Sequence, residues 1–155
     1  MSPASEGRPI HHHSDDSWRH AVERLEAAMN TLMSGDASAI KALYSHQDDV
    51  TAFFGWGGYE KGWAEVSRRW DWAAEQFKGG GPVTYEHLTA TVAPGLAVTT
   101  HIETTRVQLR GTEQPSEWSN RVTHVFRLED GEWRLVHRHA NRLESRYEPG
   151  ARLRT

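Results

Sequence analysis

The second half of the chain is the most restrictive part of the sequence. From Val83 onward, apolar and polar residues alternate in four long runs: Val83 to Ala93, Leu96 to Leu109, Glu117 to Glu129 and Glu132 to Arg142. Pro94-Gly95 separates the first two and Asp130-Gly131 the last two. A period of two lays alternate side chains on opposite faces of a sheet, and Asp-Gly supplies the positive-φ residues of a tight hairpin. The pattern predicts a four-stranded antiparallel meander, whose apolar face needs a second layer to cover it.

The first half supplies that layer. Behind a polar Ser14-Asp15-Asp16-Ser17 cluster able to cap a helix, Trp18, Ala21, Val22, Leu25, Ala28, Met29 and Leu32 recur at helical spacing. Gly35 ends this helix, and Asp36 starts a shorter one with Ile40, Leu43 and Tyr44 on one face. Asp49 to Phe54 reads as a strand that breaks at Gly55-Trp56-Gly57-Gly58. A third helix is expected over Lys61 to Lys78, with Trp63, Val66, Trp70, Ala73, Ala74 and Phe77 on its apolar face and Gly79-Gly80-Gly81-Pro82 as its stop. Trp72 falls on the opposite side, covered by loops or offered to another subunit. The expected class is α+β, with three N-terminal helices packed on a curved, mostly antiparallel sheet.

Composition narrows the function. In 155 residues the net charge is −3, and no run of basic residues gives the electrostatic footprint of a nucleic-acid binder. With 37% hydrophobic and 25% charged residues, neither a membrane span nor disorder is expected for the body of the chain. The absence of cysteine rules out disulfides and thiolate zinc sites and fits a reducing compartment. The N-terminus carries Pro3, Gly7, Pro9 and His11 to His13 with no apolar segment of a signal peptide, so a cytoplasmic protein is expected. Residues 1–14 and 148–155 read as tails around one domain over 15–147.

The order helix, helix, strand, helix, meander resembles the SnoaL-like, or nuclear transport factor 2-like, cone fold over Asp15 to Tyr147. The segments Asp49-Val-Thr-Ala-Phe-Phe-Gly55 and Gly62-Trp-Ala-Glu-Val66 carry the likeness, and so, most specifically, does Arg121 to His139. That last hairpin is similar to those of DUF4440-type proteins and of the calcium/calmodulin-dependent kinase II association domain. The resemblance implies a pocket enclosed by helices and sheet, and dimers through the outer sheet face. Known uses of the fold run from ketosteroid isomerisation, polyketide cyclisation and dehydration to ligand binding without catalysis, and fold alone does not choose among them.

Pairing the last two strands across Asp130-Gly131 sets Leu128 opposite Trp133, Phe126 opposite Leu135, His124 opposite His137 and Val122 opposite His139. Without a bulge, His124, His137 and His139 share the concave face. The association domain has pocket arginines at the positions of His124 and Ala140, which are out of phase with each other in this register. A bulge would bring Arg138 and Ala140 inward in place of His139. Three histidines on adjacent strands could hold a metal, but no metal or cofactor is expected, because His-x-His on one strand is a common coincidence.

On the preceding strand, His101 and Glu103 share a face, and Glu103 is either a solvated residue or an inward base. Trp118 and Asn120 could supply a stacking wall and an amide, with Phe54 beside them and Trp63 and Trp70 as a lid. The candidate catalytic residues are His139, His137 and Glu103. The candidate ligand contacts are His124, Asn120, Trp118, Trp70, Trp63 and Phe54. By the resemblance, the isomerase tyrosine falls at Ala28 and its base near Phe54, so that chemistry is not expected. No Gly-x-Ser-x-Gly motif or phosphate loop is present. Two functions remain: a homodimeric domain that encloses a small apolar molecule, or a cofactor-free isomerase, cyclase or dehydratase moving a proton with histidine and Glu103.

Overall fold

The computed structural model describes residues 16–144 and 149–152. His11 to His13 and the capping positions Ser14 and Asp15 lie outside them. Helices α1 (Ser17–Met33) and α2 (Ser38–Leu43) form the expected hairpin. At the end of α1, Gly35 takes a φ of 98°, in the left-handed region where a side chain is strained, and its amide donates to the Leu32 carbonyl at 2.9 Å. Trp18, Ala21, Leu25, Ala28, Met29 and Leu32 form the buried stripe of α1.

Strands β1 (Thr51–Phe53) and β2 (Tyr59–Lys61) pair around the Gly55-Trp56-Gly57-Gly58 turn, and α3 (Trp63–Gln76) follows. The chain then runs through β3 (Phe77–Gly80), β4 (Thr84–Ala93), β5 (Leu96–Leu109), β6 (Ser116–Glu129) and β7 (Glu132–Arg142). The seven strands form one sheet in the order β2-β1-β7-β6-β5-β3, and β4 pairs with the other half of β5. Among the strand pairings of the described residues, the β1–β7 pairing alone is parallel, continued by an isolated parallel bridge between Tyr44 and Leu135. The apolar faces of α1 and α3 meet the inner face of the sheet, where Ala97, Val107, Phe126, Trp133 and Leu135 join Leu25, Leu32, Val66 and Trp70 in one core.

Two expectations need correction. The glycine run is not simply a helix stop, because Phe77–Gly80 pairs with β5. A β-carbon at Gly80 would lie 2.2 Å from the Arg106 carbonyl oxygen, so glycine alone permits this approach. Gly80→Ala should therefore lose stability by about 1–3 kcal/mol through forced backbone shifts. Gly81→Ala, whose β-carbon would meet its nearest neighbour at 3.7 Å, should change it by no more than about 0.5 kcal/mol. Urea denaturation of the two variants checks the contrast.

The second correction concerns β7. Leu128 faces Trp133 and Phe126 faces Leu135 as expected, but Val125 then pairs with His137, leaving Val136 as an extra residue. Beyond this bulge, His124 pairs with Arg138, Thr123 with His139 and Val122 with Ala140. A single inserted residue exchanges the two faces of a strand. Arg138 and Ala140 consequently face the interior, and His137 and His139 face outward beside β1.

Candidate functional site

The inner face of the meander is organised in rungs of side chains running across the strands. In register, Tyr85 of β4 pairs with Glu103 of β5, Glu103 with Asn120 of β6, and Asn120 with Arg142 of β7. The two strand positions beyond, toward β7's turn, bring His101 and then the His124–Arg138 pair. On the other side lies Trp118, opposite Thr105. A sheet face so polar at its centre must pair its groups internally or offer them to something else.

One group of these residues is fully paired. Glu103 and Arg138 are each 4% exposed. Arg138 Nη1 donates to Glu103 Oε2 at 3.2 Å, and Nη2 donates to Oε1, a two-pronged contact between guanidinium and carboxylate. His101 Nε2 stands 3.0 Å from Glu103 Oε2. Arg138 Nη1 also donates to His124 Nε2 at 3.0 Å, which makes that nitrogen the acceptor and places the ring proton on Nδ1.

These contacts set the charges. Burial by itself pushes the Glu103 carboxyl up, but the charge of Arg138 and hydrogen bonds from His101 and Arg138 outweigh it and hold the group well below the usual carboxylate range. His124 is held well below 6.5, first by burial and then by the Arg138 charge. Burial likewise raises the Tyr85 hydroxyl above its ordinary value. The site at neutral pH thus contains a carboxylate, a guanidinium and an uncharged His124.

A pH dependence follows. His124 stays neutral in the folded protein, while the unfolded chain takes up a proton there below pH 6.5. Its contribution is present in full above 6.5 and is lost as pH falls below, with a slope approaching about 1.4 kcal/mol per pH unit for one proton. His137, whose pKa is also lowered by burial, acts in the same direction. In His124→Asn the slope below pH 6.5 should be shallower by up to one proton, as read from urea midpoints between pH 7 and pH 5.

Above the polar rung lies a cavity of about 50 Å³ open to the centres of water molecules. At roughly 10–15 Å³ per water on this measure, it has room for a few waters. Phe54, Trp70, Phe77 and Trp118 supply its aromatic walls, Met29, Leu32 and Met33 of α1 its roof, and Glu103, Asn120, Arg138 and Arg142 its polar end. Trp56 at the tip of the β1–β2 turn also lines it, stacked on Phe54 at 4.6 Å between ring centroids.

Of the residues chosen from sequence, Phe54, Trp70, Glu103, Trp118 and Asn120 meet in this cavity. His124 lies at 2% exposure behind Arg138. The remaining three do not reach it. Trp63 stacks on His46 at 4.0 Å, because seven residues of helix carry it roughly 10 Å along the axis from Trp70. His137 Nδ1 shares a 2.7 Å hydrogen bond with Thr51 Oγ1 on the outer face. Exposed His139 packs edge-on to Phe53 at 5.0 Å. The Val136 bulge also separates His124 from His137 and His139, and among the described residues no group of three ligand side chains could hold a metal. Trp72 lies against Trp56 at 5.5 Å with the Arg69 guanidinium over its ring. Sequence reasoning missed Arg142 altogether and reached Arg138 only through the possibility of a bulge.

Residues 22–141 match the SnoaL-like domain family. The chain belongs to that family. Solved structures agree on the fold of this SnoaL-like domain. A nuclear transport factor 2-like superfamily protein from Salmonella enterica matches with a TM-score of 0.67 and 15% identity, over 86% of this chain and 93% of its own. A protein from Streptomyces avermitilis assigned as a dehydratase of the NTF2-like family matches with a TM-score of 0.66 and 18% identity, over 83% and 95%. One from Thiobacillus denitrificans, assigned as a calcium/calmodulin-dependent protein kinase type II association domain, matches with a TM-score of 0.64 and 19% identity, over 81% and 94%. No curated protein matches the chain. Among the described residues, no helix is long and apolar enough to cross a membrane.

Proposed function

We propose that this SnoaL-like domain binds a small, largely apolar organic molecule between the aromatic walls of the cavity and the polar end formed by Glu103, Asn120 and Arg142. One observation carries the reading: Asn120 Oδ1 is buried without a hydrogen-bond partner on the same rung that floors the apolar cavity. A buried polar atom left unpaired costs about 1–3 kcal/mol, and a ligand group that meets it removes this cost. Differential scanning fluorimetry with neutral aromatic fragments tests the proposal. Fragments that fit should raise Tm in the native protein and lose the effect in Met33→Trp, which fills the cavity from α1. A screen in which no fragment raises Tm would count against it.

A second reading, the cofactor-free acid–base enzyme, is favoured by the 3.0 Å contact between His101 and Glu103 and by the NTF2-like protein assigned as a dehydratase. In that reading the proton-moving pair is His101 and Glu103 rather than His137 and His139. Arg138 opposes it, since a carboxylate held this far below its ordinary range is a weak base. Binding is therefore the better-supported function. The absence of cysteine is in keeping with a cytoplasmic location.

Assembly belongs to the same proposal. The outer sheet face carries half-buried Ile102, Thr123 and Val125, and Phe53 and Tyr59 are 39% and 73% exposed at its β1–β2 edge. Such a face suits a second copy of the chain. Light scattering should give twice the 17.6 kDa chain mass, and Val125→Glu should give the monomer. A native monomer at micromolar concentration would contradict the homodimer.

A further inference from the structure

We infer that the ligand of this cavity is a monoanion with a flat apolar body, an aromatic or similarly compact monocarboxylate whose carboxylate is met by Arg142. The inference rests on the binding proposal above and narrows it.

Among the described residues, two guanidinium groups line the cavity, and Glu103 is the only carboxylate that does so. That carboxylate is already committed to Arg138 through both of its oxygens. Arg142 makes no ion pair among the described residues, and its guanidinium carbon lies 3.7 Å from the centre of the Trp118 ring. Stacking on the ring occupies the flat face of the guanidinium and leaves its N–H edge as the donor side, the geometry that receives a carboxylate. Burial lowers the Arg142 pKa from its ordinary value, as expected of a partly desolvated cation with no counter-charge among the described residues.

The neighbouring groups limit the anion further. Asn120 is the cross-strand partner of Arg142, and its side-chain amide, which has one acceptor and one donor end, can meet either oxygen of a carboxyl group. One unpaired positive charge neutralises one negative charge. A dianion such as a phosphate monoester would leave a second charge desolvated beside the buried Glu103 carboxylate, at a large cost. The rest of the ligand meets Phe54, Trp70, Phe77 and Trp118, whose aromatic side chains give it an apolar lining.

Calorimetric titration with benzoate and its neutral isostere benzamide tests the inference. In the native protein, benzoate should bind about 10- to 100-fold more tightly, the range expected for a hydrogen bond to a charged group. Arg142→Gln should reduce this preference to about unity, and Arg142→Lys, which retains the charge, should keep part of it. Tryptophan fluorescence and thermal melting establish that both variants are folded. If benzamide binds the native protein as tightly as benzoate, the anion is wrong and the binding proposal stands. If the preference survives in Arg142→Gln, Arg142 is not its anchor and the inference is overturned. If neither probe binds, both this inference and the reading on which it rests fail.

Discussion

Arg138→Met is expected to destabilise the domain by roughly 3–5 kcal/mol at pH 7, the cost of leaving one partner of a buried ion pair without the other. Glu103 is 4% exposed, so the few waters of the cavity replace only part of what the guanidinium supplies. The double variant Arg138→Met with Glu103→Leu should recover most of the loss, because it removes both charges and keeps a similar volume. The sign of the pair's pH dependence follows from the lowered pKa of Glu103. The stabilisation is fully present above the ordinary value of 4.5 and is lost as pH falls below it, when the unfolded chain binds the proton more readily than the folded one. The difference between native protein and Arg138→Met should accordingly be largest near neutrality and shrink in acid. Urea midpoints across that range measure it, and a difference of less than 1 kcal/mol at pH 7 would mean that the pair is not desolvated.

Trp70→Ala should cost a similar roughly 3–5 kcal/mol, for a different reason. Trp70 is 2% exposed, packs edge-on against Phe54 at 5.2 Å and separates the cavity from the core around Tyr44 and Val66. Removing the indole joins a void to the existing cavity, and an apolar void of that size takes up small aromatic molecules. Added indole should therefore raise Tm in Trp70→Ala by more than in the native protein. A variant that loses stability without gaining this response would have collapsed onto the space, and Trp70 would then be a core residue rather than a wall of the site.

The strands were legible because their signals are local. Alternation and the Pro94-Gly95 and Asp130-Gly131 turns place β4 to β7 to within one residue at each end. The helices followed from periodicity in the same way, and Phe54, Trp70, Trp118 and Asn120 could be assigned to one cavity from the faces they occupy. The Val136 bulge could not be read in this way. Its backbone has no positive φ, so no glycine marks it, and Leu135-Val136 is apolar whichever face each residue takes. The slip of one residue moved His137 and His139 outward and Arg138 inward, exchanging two histidines for the arginine of an ion pair. β3 escaped notice for the opposite reason: a glycine-rich stretch signals a stop, and only the approach of the Arg106 carbonyl reveals that Gly80 belongs to a strand. Arg142 sits where the strand pattern fades, and the role proposed for it depends on its having no acidic partner among the described residues, which is a property of three dimensions.

The proposed binding site lies between α1, α3 and the polar rung of the sheet. The seven tryptophans provide direct reporters for it. Titration with benzoate, followed through the indole N–H signals in a nitrogen-15 correlation spectrum, should shift those of Trp56, Trp70 and Trp118, which line the cavity. The signals of Trp63, beside His46, and of Trp18 and Trp133, at the other end of the core, should stay in place. Shifts confined to Trp18, Trp63 or Trp133, or no shift at millimolar benzoate, would contradict the assignment of this cavity as the binding site.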